Sequence, residues 1–126
     1  MRLKTRTALI AVVVLMSLLR VTELSAHHSM AMYDQQKTII ITGIVKRIDF
    51  KNPHPIFVIT VTDDGGSQFD WTLETQSTAQ LTSFGWTANT IKLGDKVSVA
   101  GNPARNGTPA LHVSAIQLPD GRTIKT

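Results

Sequence analysis

A chain of 126 residues without a single cysteine has the length of one domain and excludes a disulfide framework or a thiolate metal centre. Its formal net charge of +4 overstates the basicity of the folded part. Four of the 13 basic and one of the 9 acidic side chains fall in residues 1–26, which leaves nine and eight. A remainder so close to neutral argues against a nucleic-acid partner.

Residues 1–26 read as a cleavable signal peptide. Arg2, Lys4 and Arg6 supply the positive start, Ala8 to Leu19 is an apolar core, and small residues lead to a cut after Ala26. The core is shorter than the ~20 residues that cross a bilayer, so no membrane anchor is expected after cleavage. The mature chain then occupies residues 27–126 as a single domain, periplasmic or secreted, and held together by packing alone.

Strand signals dominate that domain. Thr38 to Phe50 is rich in β-branched residues, with Gly43 as a bend or bulge point. Asn52-Pro53-His54-Pro55 interrupts it, because two prolines cannot sit in a central strand. Ile56 to Thr62 is the second strand, Asp63-Asp64-Gly65-Gly66 a hairpin turn, and Phe69 to Thr75 the third strand. Ser77-Thr78-Ala79-Gln80 is a capping box, followed by Leu81 and Phe84 as an apolar helix face and Gly85 as a stop. Lys96 to Ala100 and Leu111 to Leu118 complete five strands, the last closed by Pro119-Asp120-Gly121.

Three strands, one short helix and two strands is the order of an OB-fold-like barrel. The predicted fold is therefore all-β, a small five-stranded Greek-key barrel with its helix between strands three and four. A β-sandwich of the same strands is the rival. The expected core is Ile40, Val45, Val58, Ile59, Val61, Trp71, Leu73, Leu81, Val97, Val99, Val113 and Ile116.

Several short elements now acquire a family context. His27-His28-Ser29 with Tyr33-Asp34, Thr42-Gly43 and Asn52-Pro53-His54 resembles the domain of unknown function 6152 family of exported bacterial proteins. The resemblance continues through Gly85-Trp86-Thr87, Leu93-Gly94-Asp95-Lys96-Val97 and Leu118-Pro119-Asp120-Gly121-Arg122. It implies a stand-alone exported β-barrel domain and no established activity. One departure is visible: Pro55-Ile56 separate the Asn-Pro-His element from Phe57, where the family places an aromatic closer.

The candidate site rests on histidines, of which there are four: His27, His28, His54 and His112. If cleavage exposes His27, its α-amine and imidazole can chelate one metal ion. The 11 residues from His27 to Lys37 span at most ~36 Å, enough to run beside strand one and reach His54. An amine and two imidazoles form a planar three-nitrogen set that favours copper(II). His27, His28 and His54 are thus the candidate metal ligands, with His28 as substitute, and copper is the candidate cofactor. Asp34 or Glu74 would orient a ligand ring from behind. Met30 and Met32 offer thioethers to copper(I), although packing is the simpler use of Met30. His112, alternating with Leu111 and Val113 on strand five, reads as a surface residue.

Enzyme motifs are missing: the chain has no cysteine nucleophile, no Gly-x-Ser-x-Gly elbow and no phosphate-binding glycine loop. No catalytic residue is assigned, and Asp70 and Glu74 read as solvated strand positions. The alternative to copper binding is a metal-free module that holds a periplasmic protein partner or small ligand. Phe57, Phe69, Trp71 and Trp86 would line its surface, against the simpler expectation that Trp71 and Trp86 are buried.

Overall fold

The first strand is expected to bend at Gly43, and the computed structural model shows why a glycine is needed there. A Cβ on Gly43 would lie 2.7 Å from the backbone oxygen of Thr60 on the neighbouring strand. The structure describes residues 30–126, so the signal segment and the His27–His28 pair lie outside the described residues. Tyr33–Thr126 forms one compact unit.

Six strands and one short helix make up this unit: β1 (Ile39–Asp49), β2 (Ile56–Thr62), β3 (Gln68–Glu74), α1 (Thr78–Ser83), β4 (Lys96–Pro103), β5 (Ala110–Gln117) and β6 (Thr123–Lys125). β1 is shared between two neighbours. Its first half, Ile39 to Ile44, pairs with β4, and its second half, Ile44 to Asp49, pairs with β2. A register shift between Val45 and Arg47 turns the strand at the changeover, as bulges do where a sheet must curl. β2 and β3 form a hairpin whose turn is braced by Asp63, the side chain of which accepts from the backbone N–H groups of Gly65 and Ser67.

A parallel pairing of β3 with β5 closes the sheet, so that β1 to β5 form a barrel. This closure, 1-2-3-5-4-1, is the OB-fold arrangement expected from the element order and excludes the sandwich. β6 is an addition: a turn after Leu118 sends Thr123 to Lys125 back along β5. The expected bounds of β1, β3 and β5 each move by one residue, and β4 continues three residues further, through Pro103. The N-cap half of the anticipated capping box forms, with the Ser77 hydroxyl accepting from the Gln80 N–H at 3.3 Å.

The core collects the inward positions of five strands and plugs one opening with α1. Val45, Phe57, Ile59, Leu73, Leu81, Trp86, Val97, Val99, Leu111, Val113 and Ile116 are all buried. Each large apolar side chain removed from water contributes roughly 1.5–3 kcal/mol. Trp86 stacks on Phe57 with ring centroids 5.7 Å apart, and its indole N–H donates to the Lys125 carbonyl at 2.6 Å. That bond ties β6 to the barrel. Ile40 departs from expectation: it is 73% exposed. Odd-numbered residues of β1 face inward ahead of the bulge, and the unbroken run of isoleucines concealed which parity that was. Val61 and Trp71 are half-buried at the margin of the core.

Candidate functional site

The loop between β1 and β2 places His54 by fixing the residue after it. Pro55 is fully buried, and its carbonyl accepts from both the backbone N–H and the hydroxyl of Thr75, at 3.4 and 3.1 Å. Thr75 follows β3 directly and is itself buried. Asn52, at the other side of the Asn52-Pro53 cis peptide, accepts from the Thr78 hydroxyl at the start of α1. His54 is therefore held between two anchored residues. Its Nδ1 is buried and has no hydrogen-bond partner. A buried polar atom left in that state costs about 1–3 kcal/mol, which makes it the most anomalous atom of the described residues.

Register brings a second imidazole to the same region. In the parallel β3–β5 pair, Leu73 stands opposite Leu111 and Glu74 opposite His112. Both leucines point into the core, so Glu74 and His112 share the outer face. An outward histidine would ordinarily be solvated, as the strand pattern suggested, yet His112 is only 8% exposed. Tyr33 is the cause. It lies beside the His112 ring, with centroids 5.6 Å apart, and is buried to 5% exposure.

Tyr33 is held there from the backbone outward. It forms an isolated antiparallel bridge with Ala104, the Asp34 N–H donates to the Pro103 carbonyl at 2.9 Å, and the Asn102 amide donates to the Lys37 carbonyl at 2.6 Å. The Tyr33 hydroxyl then donates to the Glu74 carboxylate at 2.8 Å. Gly101 completes the arrangement. A side chain there would collide with the carbonyl of His112, so glycine lets β4 approach this part of β5.

The electrostatics follow from that burial. Desolvation lowers the His112 pKa below 6.5, the nearby Glu74 carboxylate opposes the shift, and the charge on His54 adds to it. Burial thus favours the neutral form of the His112 ring. The phenol of Tyr33 is pushed well above its ordinary pKa, first by burial and then by its bond to the Glu74 carboxylate. It remains a hydrogen-bond donor. Among the described residues, no group of three or more His, Cys, Asp or Glu side chains is placed to hold a metal ion by itself. A metal at this position would need a donor from beyond them.

Of the sequence candidates, His54 is where the loop argument put it, and His27 and His28 lie outside the described residues. His112 and Glu74 change role. Neither is a simple solvated position: one is covered by Tyr33 and the other accepts a hydrogen bond from its hydroxyl. Asp70 is exposed and pairs with Lys46 at 2.6 Å, as its strand position suggested. Asp34 accepts from the Gln36 N–H and lies 3.9 Å from the Arg105 guanidinium. The aromatic surface envisaged for a metal-free module is broken up, because Phe57 and Trp86 are core residues. Phe69 is half exposed and Trp71 half-buried.

Comparison with known proteins places the chain. A family model described as a family of unknown function, DUF6152, matches residues 15–111. The chain belongs to this family. The match spans the β1–β2 loop carrying His54, together with Tyr33 and Glu74, and stops one residue before His112. No curated protein matches the chain. Among solved structures it is similar to the S. cerevisiae mitochondrial single-stranded DNA-binding protein Rim1, with a TM-score of 0.50 and 15% identity. That likeness covers 65% of this chain and 92% of Rim1. At such identity it speaks for the barrel fold alone.

Proposed function

We propose that this DUF6152 protein is exported to the periplasm or cell exterior and binds copper, using the terminus created by signal cleavage together with His54. The observation that carries the reading is the buried Nδ1 of His54, which no hydrogen bond satisfies. Tyr33, whose burial covers the outer face of β3 and β5, is six residues downstream of His27. Covalent reach therefore keeps the His27 amine within ~22 Å of Tyr33. His27 supplies amine and imidazole, His54 a second ring, and His28 stands in if the first is displaced. A nitrogen-rich set of this kind selects copper(II) over the other common divalent ions.

The reading is tested by confirming the mature terminus by intact mass and titrating copper(II). One equivalent bound with nitrogen hyperfine structure, lost when an extra residue precedes His27, is the expected outcome. Copper held no better than by a scrambled terminus would reject it.

A metal-free binding module is favoured by one observation, the exposed apolar side chains Ile40, Ile44 and Phe69 on the barrel strands. Partner capture that survives combined His27→Ala and His54→Ala substitution would select that reading instead. The DNA binding of Rim1 does not transfer readily, because this domain carries nearly balanced charge and would leave the signal's basic residues behind.

A further inference from the structure

We infer that Asn106 is a site of covalent self-modification: the backbone nitrogen of Gly107 closes on its side-chain amide, and water opens the ring to aspartate and isoaspartate. This inference is independent of copper and concerns the loop that joins β4 to β5. The chain has four asparagines, at positions 52, 89, 102 and 106. Asn52 and Asn102 precede prolines, whose nitrogen carries no hydrogen to give up. Asn89 precedes Thr90, where a β-branched side chain crowds the approach. Asn106 alone is followed by glycine.

The structure adds a local geometry to that sequence context. Arg105 to Pro109 are exposed, so water reaches the loop. Gly107 has φ +78°, and a Cβ placed on it would meet nothing within 4 Å, so no neighbour crowds this residue. The Asn106 Oδ1 accepts from the Thr108 N–H at 3.1 Å and from the Thr108 hydroxyl at 2.8 Å. The first bond makes an Asx turn, which folds the side-chain carbonyl back over the peptide unit that contains the Gly107 nitrogen. Two donors on one carbonyl oxygen also draw charge from its carbon and stabilise the oxyanion that forms as the nitrogen adds. One contact opposes the step. The Gly107 N–H donates to the Ala104 carbonyl at 3.2 Å, at the long end of the ordinary range.

The chemistry needs only water and hydroxide. Hydroxide removes the Gly107 amide proton, and the nitrogen lone pair forms a bond to Cγ of Asn106. The Cγ–Nδ2 bond breaks with its electron pair, and that nitrogen takes a proton and leaves as ammonia. Water adding at Cγ of the cyclic imide gives aspartate. Water adding at the backbone carbonyl carbon gives isoaspartate, in which the main chain runs through the former side chain. Either product places a carboxylate next to Arg105, whose guanidinium lies 3.9 Å from Asp34. The nine basic side chains of residues 27–126 then meet nine acidic ones, the original eight and the new one. Isoaspartate also lengthens the backbone just before Pro109, whose carbonyl accepts from the Thr72 N–H where β3 and β5 close the barrel.

The experiment ages the purified protein in mildly acidic and mildly alkaline buffer and follows it by intact mass, peptide mapping and enzymatic methylation of isoaspartate. The mass gain of one amide-to-acid exchange is expected at residue 106, faster in the alkaline buffer. It should run at least about tenfold faster than at Asn89, where the following side chain is β-branched. Asn106→Gln is expected to abolish it. Thr108→Val, which removes the hydroxyl donor, is expected to slow it by about threefold, and Thr108→Ser, which keeps that donor, to leave the rate unchanged. Far-UV circular dichroism establishes that each variant is folded. After ageing, the wild type is expected to melt at a lower temperature than Asn106→Gln treated in the same way. An Asn106 amide that persists as long as that of Asn89 would overturn the inference. An exchange as fast in Thr108→Val as in wild type would overturn the part given to the Asn106–Thr108 turn.

Discussion

Two buried regions of this barrel obey different rules. Around Phe57, Leu81 and Trp86 the interior is apolar, and its polar atoms are paired, down to the Trp86 indole that donates to Lys125. Around His54, His112, Glu74 and Tyr33 polar groups are buried or half-buried, and the buried Nδ1 of His54 has no partner. Close packing without unsatisfied groups is what stability favours. A polar cluster with one open position contributes little to folding and is the arrangement a ligand can complete. The first region makes the barrel, and the second leaves a polar position open on its surface.

Substitutions in each region separate the two kinds of packing. The largest effect is expected in the apolar region: Phe57→Ala removes a fully buried ring from under Trp86 and should cost about 3–5 kcal/mol in urea unfolding. A loss below about 1 kcal/mol would show that the stacked pair is not central to the core. Tyr33→Phe deletes only the hydroxyl that donates to Glu74 and should cost about 1 kcal/mol, since the ring still covers His112.

Acid acts on the polar region through His112. Its folded pKa lies below 6.5, so the unfolded chain binds the proton more readily than the folded one. Stability is full above pH 6.5 and declines as pH falls through it towards the folded value. Thermal midpoints of the metal-free protein measured between pH 7.5 and 5 should fall, and His112→Gln should flatten the decline. The smallest effect is expected at His54. Replacing it by leucine removes a buried unsatisfied nitrogen and should leave stability unchanged or slightly higher, within about 1 kcal/mol. A stability loss as large as that of Phe57→Ala would place His54 in the structural core instead.

Much of the apolar region was legible in the sequence, and the polar one only in part. Alternation, turn residues and the Ser77 capping box located five strands and the helix, and their order implied the barrel. β6 escaped notice because three residues after Gly121 carry too little pattern to declare a strand. Ile40 was misplaced because Ile39, Ile40 and Ile41 give no contrast between the two faces of β1. His54 was visible as a histidine trapped between prolines. His112 was not, for a reason that local pattern cannot address. Its outward parity is plain from Leu111 and Val113, but outward means solvated only when nothing lies above. The cover is Tyr33, which reaches it through a bridge to Ala104 that no periodicity records.

If the open nitrogen of His54 belongs to a copper site, as proposed, copper stabilises the folded protein through it. The most direct test is the thermal midpoint of the mature protein with and without one equivalent of copper(II), in wild type and in His54→Leu. Binding to the folded state alone raises the midpoint. A clear rise is expected in wild type and none in His54→Leu, although the two metal-free proteins melt at similar temperatures. An equal rise in both, or no rise in wild type, would contradict it.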